Sequence, residues 1–225
     1  MSEKKASDHI LSLVKAGLNL DPYGVGGMLS SLIGDYLPSS TERSVKELAR
    51  HLVEEIKRID SRIDSGEIDQ DEFTELFKSA YLVAVRTHRQ EKIHGAAHLL
   101  ANLLLKKGDP EKLSYTELDH FVRAIDALSH GALHVHGVLV RFALSEESRG
   151  QAKPFFHMTL GHLGSVVGGE DLSLLSSLLR ELASWGFTEV RVPQVNSDDL
   201  TMHTVVLTDM GKRFAKAVAL GKLAS

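Results

Sequence analysis

Residues 171–218, DLSLLSSLLRELASWGFTEVRVPQVNSDDLTMHTVVLTDMGKRFAKAV, decide the fold, because the spacing of apolar residues changes twice within them. Leu172, Leu175, Leu178, Leu179 and Leu182 recur at helical spacing behind Asp171, which predicts an amphipathic helix ending at Gly186. Phe187 to Val192 and Met202 to Thr208 are rich in β-branched residues and flank a polar turn at Asn196, Ser197, Asp198 and Asp199, the pattern of a β-hairpin. Thr208 is then placed to cap a last helix carrying Phe214, Ala215, Val218 and Leu220.

Working outward, Ser129 is a cap for a helix through Leu133, Val138, Leu139 and Phe142. A loop from Ser145 to Lys153 leads to Pro154, a residue suited to the first turn of another helix, and Gly164, Gly168 and Gly169 break the chain before Asp171. Three helices, a two-stranded wing and a closing helix make residues 129–225 read as a winged-helix-like domain with one small β-hairpin.

Residues 1–128 read as a helical region, so the fold class is mainly α. Ser39 with Glu42 has capping-box spacing, and Val45, Leu48, Leu52, Ile56, Ile59 and Ile63 form an amphipathic stripe ending near Gly66. A lone stripe must bury its apolar face, so this one is a candidate surface for self-association. Asp69 with Glu72 opens the next helix, on Phe73, Leu76, Phe77, Ala80 and Ala84. The polar run Arg86 to Lys92, with Thr87 and Gln90 at capping spacing, divides it from a helix reaching Lys107, where Gly108, Asp109 and Pro110 stop it. Ser114 with Glu117 starts one more helix, through Leu118, Phe121, Val122, Ile125 and Leu128.

Composition narrows the chemistry. The 225 residues contain no Cys, which removes thiol catalysis, cysteine zinc ribbons and iron–sulfur clusters. A formal charge of −4 gives no overall pull toward nucleic acid. No apolar run approaches the roughly 18 residues of a membrane-crossing helix, so the expected compartment is the cytoplasm. Residues 24–37, with Met28, Leu29, Leu32 and Ile33 and almost no charge, keep a membrane-active reading open. No GxSxG elbow, phosphate-binding loop or dinucleotide turn is present, and Glu54 with Glu55 reads as an exposed carboxylate pair. The chain is therefore expected to be no enzyme and to need no cofactor.

Of the 12 histidines, His94 with His98 and His130 with His134 share the four-residue spacing of paired zinc ligands. Position 95 is Gly where a metallopeptidase helix would carry Glu, and the plainer reading is of surface and inter-helix histidines titrating near their ordinary range.

The predicted third helix of the C-terminal half carries Ser173, Ser176, Ser177 and Ser184, with Arg180 as its one base and Glu170 and Asp171 at its start. An acid-fronted helix of small residues suits a protein partner better than a polyanion, so Ser173, Ser176, Ser177 and Arg180 are the expected partner-binding residues. The alternative, a DNA-binding regulator, would rely on Arg180, Lys212, Arg213 and Lys216. Three stretches, FTELFKSAYLVAVRTHRQEKIHGAAHLLANLLL (73–105), YTELDHFVRAIDALSHGALHVHGVLV (115–140) and LTDMGKRFAKAV (207–218), resemble the abortive-infection alpha type of bacterial protein and related helical and winged-helix modules. The resemblance implies a cytoplasmic bacterial protein in defence against phage and carries over no catalytic residue; the histidine-rich stretch His130 to His136 departs from it.

Overall fold

The computed structural model describes residues 39–64, 69–148, 156–169, 171–192 and 199–218. Segment 24–37, the Ser39–Glu42 capping pair, Pro154, Glu170 and Asn196 to Asp198 fall outside what is described, in whole or in their side chains. The chain divides between Asp126 and Ala127 into two compact units. Among the described residues it is mostly helical, with one small antiparallel sheet.

In the first unit, α1 (Ser39–Arg58) and α2 (Gln70–Arg86) pack on α3 (Gln90–Leu103) and on each other, and α4 (Tyr115–Ala127) follows. Helix α3 is buried along most of its length, from Ile93 through Gly95, Ala96 and Ala97 to Leu103; its alanines and glycine let neighbouring backbones approach closely. The stripe of α1 is spent on this core, with Leu48, Leu52, Ile56, Ile59 and Ile63 at most 3% exposed, so the self-association face expected there is already covered within the unit. That helix also stops earlier than Gly66. It ends at Arg58, a 3-10 turn spans Asp60–Arg62, and Ile63 pairs with Leu105 as a β-bridge.

The caps are mostly those the residue spacing predicts. Asp69 accepts from the backbone N–H of Asp71 and Glu72. The Glu117 N–H donates to the Ser114 hydroxyl, and the Glu117 carboxylate accepts from the Ser114 N–H and hydroxyl. At Thr87 the chain breaks as expected, but the N-cap is Arg89 and Thr87 Oγ1 only accepts from the Arg89 N–H. Helix α3 ends at Leu103 rather than Lys107, because the Lys112 ammonium takes the carbonyls of Leu103 and Leu105 at 2.6 and 2.7 Å.

The second unit runs α5 (His130–Ser148), β1 (Phe156–Thr159), α6 (Leu160–Val166), α7 (Leu172–Ser184), β2 (Thr188–Arg191), β3 (Thr204–Leu207) and α8 (Asp209–Ala217). Helix α5 continues to Ser148 through residues expected to form a loop. Beyond it lies the main correction: Phe156 to Thr159 is a strand, so the sheet has three strands in the order β1-β3-β2 instead of a lone hairpin. Phe156 pairs with Leu207 and Thr159 with Thr204 on one side of β3, while Thr188 pairs with Leu207 and Arg191 with Thr204 on the other. Only Met158 of β1 is buried, so the strand exists because β3 offers it a free edge. Gly164 does not break the chain: it lies inside α6, where a Cβ would stand 3.0 Å from Leu172 Cδ2.

Helix α7 ends as its sequence predicts. Gly186 takes φ +76°, its N–H reaches the Ala183 carbonyl, and the Phe187 N–H reaches Leu182, so the orphan carbonyls are satisfied. Thr208 then ties the start of α8 to this turn. Its hydroxyl donates to the Gly186 carbonyl at 2.6 Å and accepts from the Gly211 N–H at 2.9 Å. Gly211 has no room for a side chain, since a Cβ there would lie 2.3 Å from the Phe187 carbonyl oxygen. The approach brings Phe214 onto Phe187, stacked at 4.2 Å between centroids. Replacing Gly211 by Ala must push two backbone segments apart; we expect Gly211→Ala to lower stability by about 2 kcal/mol or more in denaturant titrations, against about 1 kcal/mol or less for Gly131→Ala, which meets only the flexible end of Leu178.

Candidate functional site

Ser173, Ser177, Arg180 and Ser184 share the solvent face of α7, all of them exposed, while Ser176 is half-buried at its flank. The Asp171 carboxylate caps the start through the Ser173 N–H at 2.9 Å, so the anion-binding end of the helix already holds an anion. Two of the hydroxyls turn back on their own helix: Ser177 donates to the Ser173 carbonyl and Ser184 to the Glu181 carbonyl. Such serines offer a partner a shallow, small surface with few outward donors. Sequence reasoning missed Leu174, which stands 48% exposed beside Ser173. Its signal was the leucine one position away from the buried face set by Leu175, Leu179 and Leu182.

The cations of α8 sit differently from one another. Arg213 and Lys216 are exposed, whereas Lys212 is half-buried. Arg191, in β2, is engaged by Glu189 at 2.9 Å.

A second constellation lies in the first unit, between α1 and α3. Glu55, only 9% exposed, holds its carboxylate against His94 Nε2 and His98 Nδ1, each at 3.5 Å, and against the Arg58 guanidinium at 2.7 Å. The His51 ring lies 4.7 Å from that of His94. The reading of Glu55 as an exposed carboxylate is therefore wrong. Counting from Leu48 through Leu52 to Ile59, position 55 falls on the buried face, and the helical period contained that information.

Burial works to raise the Glu55 carboxyl, but the contacts from His94, His98 and Arg58 outweigh it and hold the group far below the usual carboxylate range. His51 is pushed down by burial first, then by Arg50 and His94. A carboxylate so firmly ionised is a weak proton acceptor and is unsuited to general-base work. The histidine pair that the sequence singled out for its ligand spacing thus faces a carboxylate already neutralised by Arg58. Among the described residues, no group of three His, Asp or Glu is arranged to hold a metal ion.

The histidines of the second unit do not converge. His130, His134, His157 and His162 are exposed, while His136 is wholly buried in α5, against the expectation of a surface or inter-helix histidine titrating near its ordinary range. No described helix is long and apolar enough to cross a membrane. No family model matches the chain, and neither the curated proteins nor the solved structures yield a match.

The Glu55 carboxyl has a depressed folded pKa, so its contribution to stability is present above its ordinary value of 4.5 and is lost as pH falls below it. Glu55→Gln leaves Arg58 and the histidines without their anion. We expect it to destabilise the first unit by about 3 kcal/mol near neutral pH, in chemical denaturation followed by circular dichroism, with the gap to the wild-type chain narrowing under acid.

Proposed function

We propose that residues 129–225 form a winged-helix domain and that the chain is a non-enzymatic interaction module of the cytoplasm, docking a protein partner on the outer face of α7. The element order from α5 to α8 and the sheet order β1-β3-β2 support the winged-helix reading. The observation that carries the functional reading is the α7 face itself: Leu174 stands 48% exposed among Ser173 and Ser177, behind an acid-capped start, with Arg180 as the helix's single cation. A helix that grips duplex DNA draws its affinity from several cations on phosphate and its sequence readout from outward-facing donors. A leucine beside small serines, with the Ser177 hydroxyl bonded inward, favours close contact with another protein.

The distribution of apolar exposure supports the same unit. Of the six large apolar side chains exposed among the described residues, Leu144, Val166, Leu174, Val192 and Met202 belong to the second unit and Leu82 alone to the first. The motif resemblance adds phage defence as the setting in which to seek the partner. The competing reading, a DNA-binding regulator, draws on the exposed cations Arg180, Arg213 and Lys216.

A photoreactive residue at position 174, expressed in the native cell, is expected to give discrete protein adducts that are absent when it replaces the exposed Lys78 of α2. In parallel, a labelled DNA duplex at about 50 mM salt is expected to show no saturable binding. Nucleic-acid adducts from position 174, or duplex binding that falls steeply with salt and weakens in Arg180→Ala, would favour the regulator instead.

A further inference from the structure

His136 lies in the first half of α5 with no exposed surface, and neither ring nitrogen makes a hydrogen bond of good geometry, the Gly211 backbone being the one polar group that acts on the ring. Its neighbours are aromatic: the Phe187 centroid is 5.7 Å away and the Phe214 centroid 5.5 Å. Phe187 belongs to the turn leaving α7 and Phe214 to α8, so the imidazole is roofed by the same ring stack that seats α8 on the unit. A neutral imidazole so poorly paired is costly in such a place, and an imidazolium far more so, because the Gly211 backbone alone replaces little of its hydration.

Charged and titratable groups on the surrounding elements bring no relief. Among the described side chains, helix α5 carries His130, His134 and Arg141; β1 carries His157; α6 carries His162; α7 carries Arg180 and Glu181; β2 carries Glu189 and Arg191; α8 carries Asp209, Lys212, Arg213 and Lys216; β3 carries none. All of these are exposed or half-buried, and none acts on the His136 ring. Burial pushes its pKa down to about 4, and the Gly211 backbone offsets only part of that.

We propose that His136 is an acid-operated latch: taking up one proton ejects the ring from beneath Phe187 and Phe214 and releases α8 from α5, ahead of any opening of α7. The sign follows from linkage. A site that binds the proton more weakly when closed than when open stays closed near neutral pH, and opening grows as pH falls below the ordinary histidine value of 6.5. Release uncovers Phe187 and the apolar side of α8, which carries Phe214, Ala215 and Val218. The latch is independent of what α7 binds.

Hydrogen exchange by mass spectrometry on the full chain, at about pH 7 and about pH 4.5 with intrinsic rates corrected, tests this directly. Protection of peptides over 209–217 is expected to fall roughly tenfold or more at the lower pH, while peptides over 172–184 and 90–103 change less. His136→Leu and His136→Met are each expected to keep α8 protected under acid. In the wild-type chain, the ring-carbon proton resonances of His136 are expected to titrate with a midpoint below the ordinary histidine value of 6.5, which keeps the test valid if a variant fails to fold. Retained α8 protection at the lower pH, equal loss in wild type and variants, equal loss in α7 and α8, or a His136 midpoint at or above 6.5 would each overturn the latch.

Discussion

The second unit depends on one close approach, between the start of α8 and the carbonyl of Phe187. Thr208 draws the two segments together by donating to Gly186 and accepting from Gly211, and the missing side chain at Gly211 lets the Phe187 carbonyl oxygen occupy the space a Cβ would take. Everything nearby follows from that distance. Phe214 stacks on Phe187, the pair closes over α5, and the turn that ends α7 is held where β2 must begin. A stacked pair of buried phenylalanines adds about 1 kcal/mol beyond the area it removes from water, but its larger effect is to fix the geometry of three helices at one point.

The two units handle buried histidine in opposite ways. In the first, His94 and His98 face Glu55, and Arg58 completes the charge balance, so a buried carboxylate remains ionised between α1 and α3. In the second, His136 is surrounded by aromatic rings and has no anion at all. Acid therefore acts with different force on the two sites. Acid must first neutralise the Glu55 carboxylate, held ionised by its neighbours, whereas a proton on His136 meets no anion and only the Gly211 backbone, and loses its hydration.

The outer face of α7 owes its character to hydrogen bonds within the helix. Serine is ordinarily a versatile donor and acceptor, yet Ser177 and Ser184 spend their hydroxyls on carbonyls three or four residues back. With Asp171 already occupying the helix start, what remains outward is small, nearly neutral and marked by Leu174. That combination suits a complementary protein surface, in which shape rather than charge sets the fit.

The helices, their caps and the period change at Gly186 were legible in the sequence, because each rests on contacts within a few residues: Asp69 over its own first turn, Ser114 with Glu117, Thr208 with Gly211. The strand Phe156 to Thr159 was not: FHMT alternates apolar with polar residues, but four residues are too short a run to decide, and they pair across nearly fifty residues with an edge that β3 provides. Glu55 stood partly in view, its position on the buried face and the neighbouring Arg58 being countable, but the two histidines against it come from another helix about forty residues on. For His136 the sequence by itself determined an imidazole within an apolar helix; the tertiary structure alone decided that two phenylalanines, and no carboxylate, would enclose it. Local spacing specifies backbone conformation through short-range hydrogen bonds, whereas the environment of a charge is set by whatever distant segments the packed core brings against it.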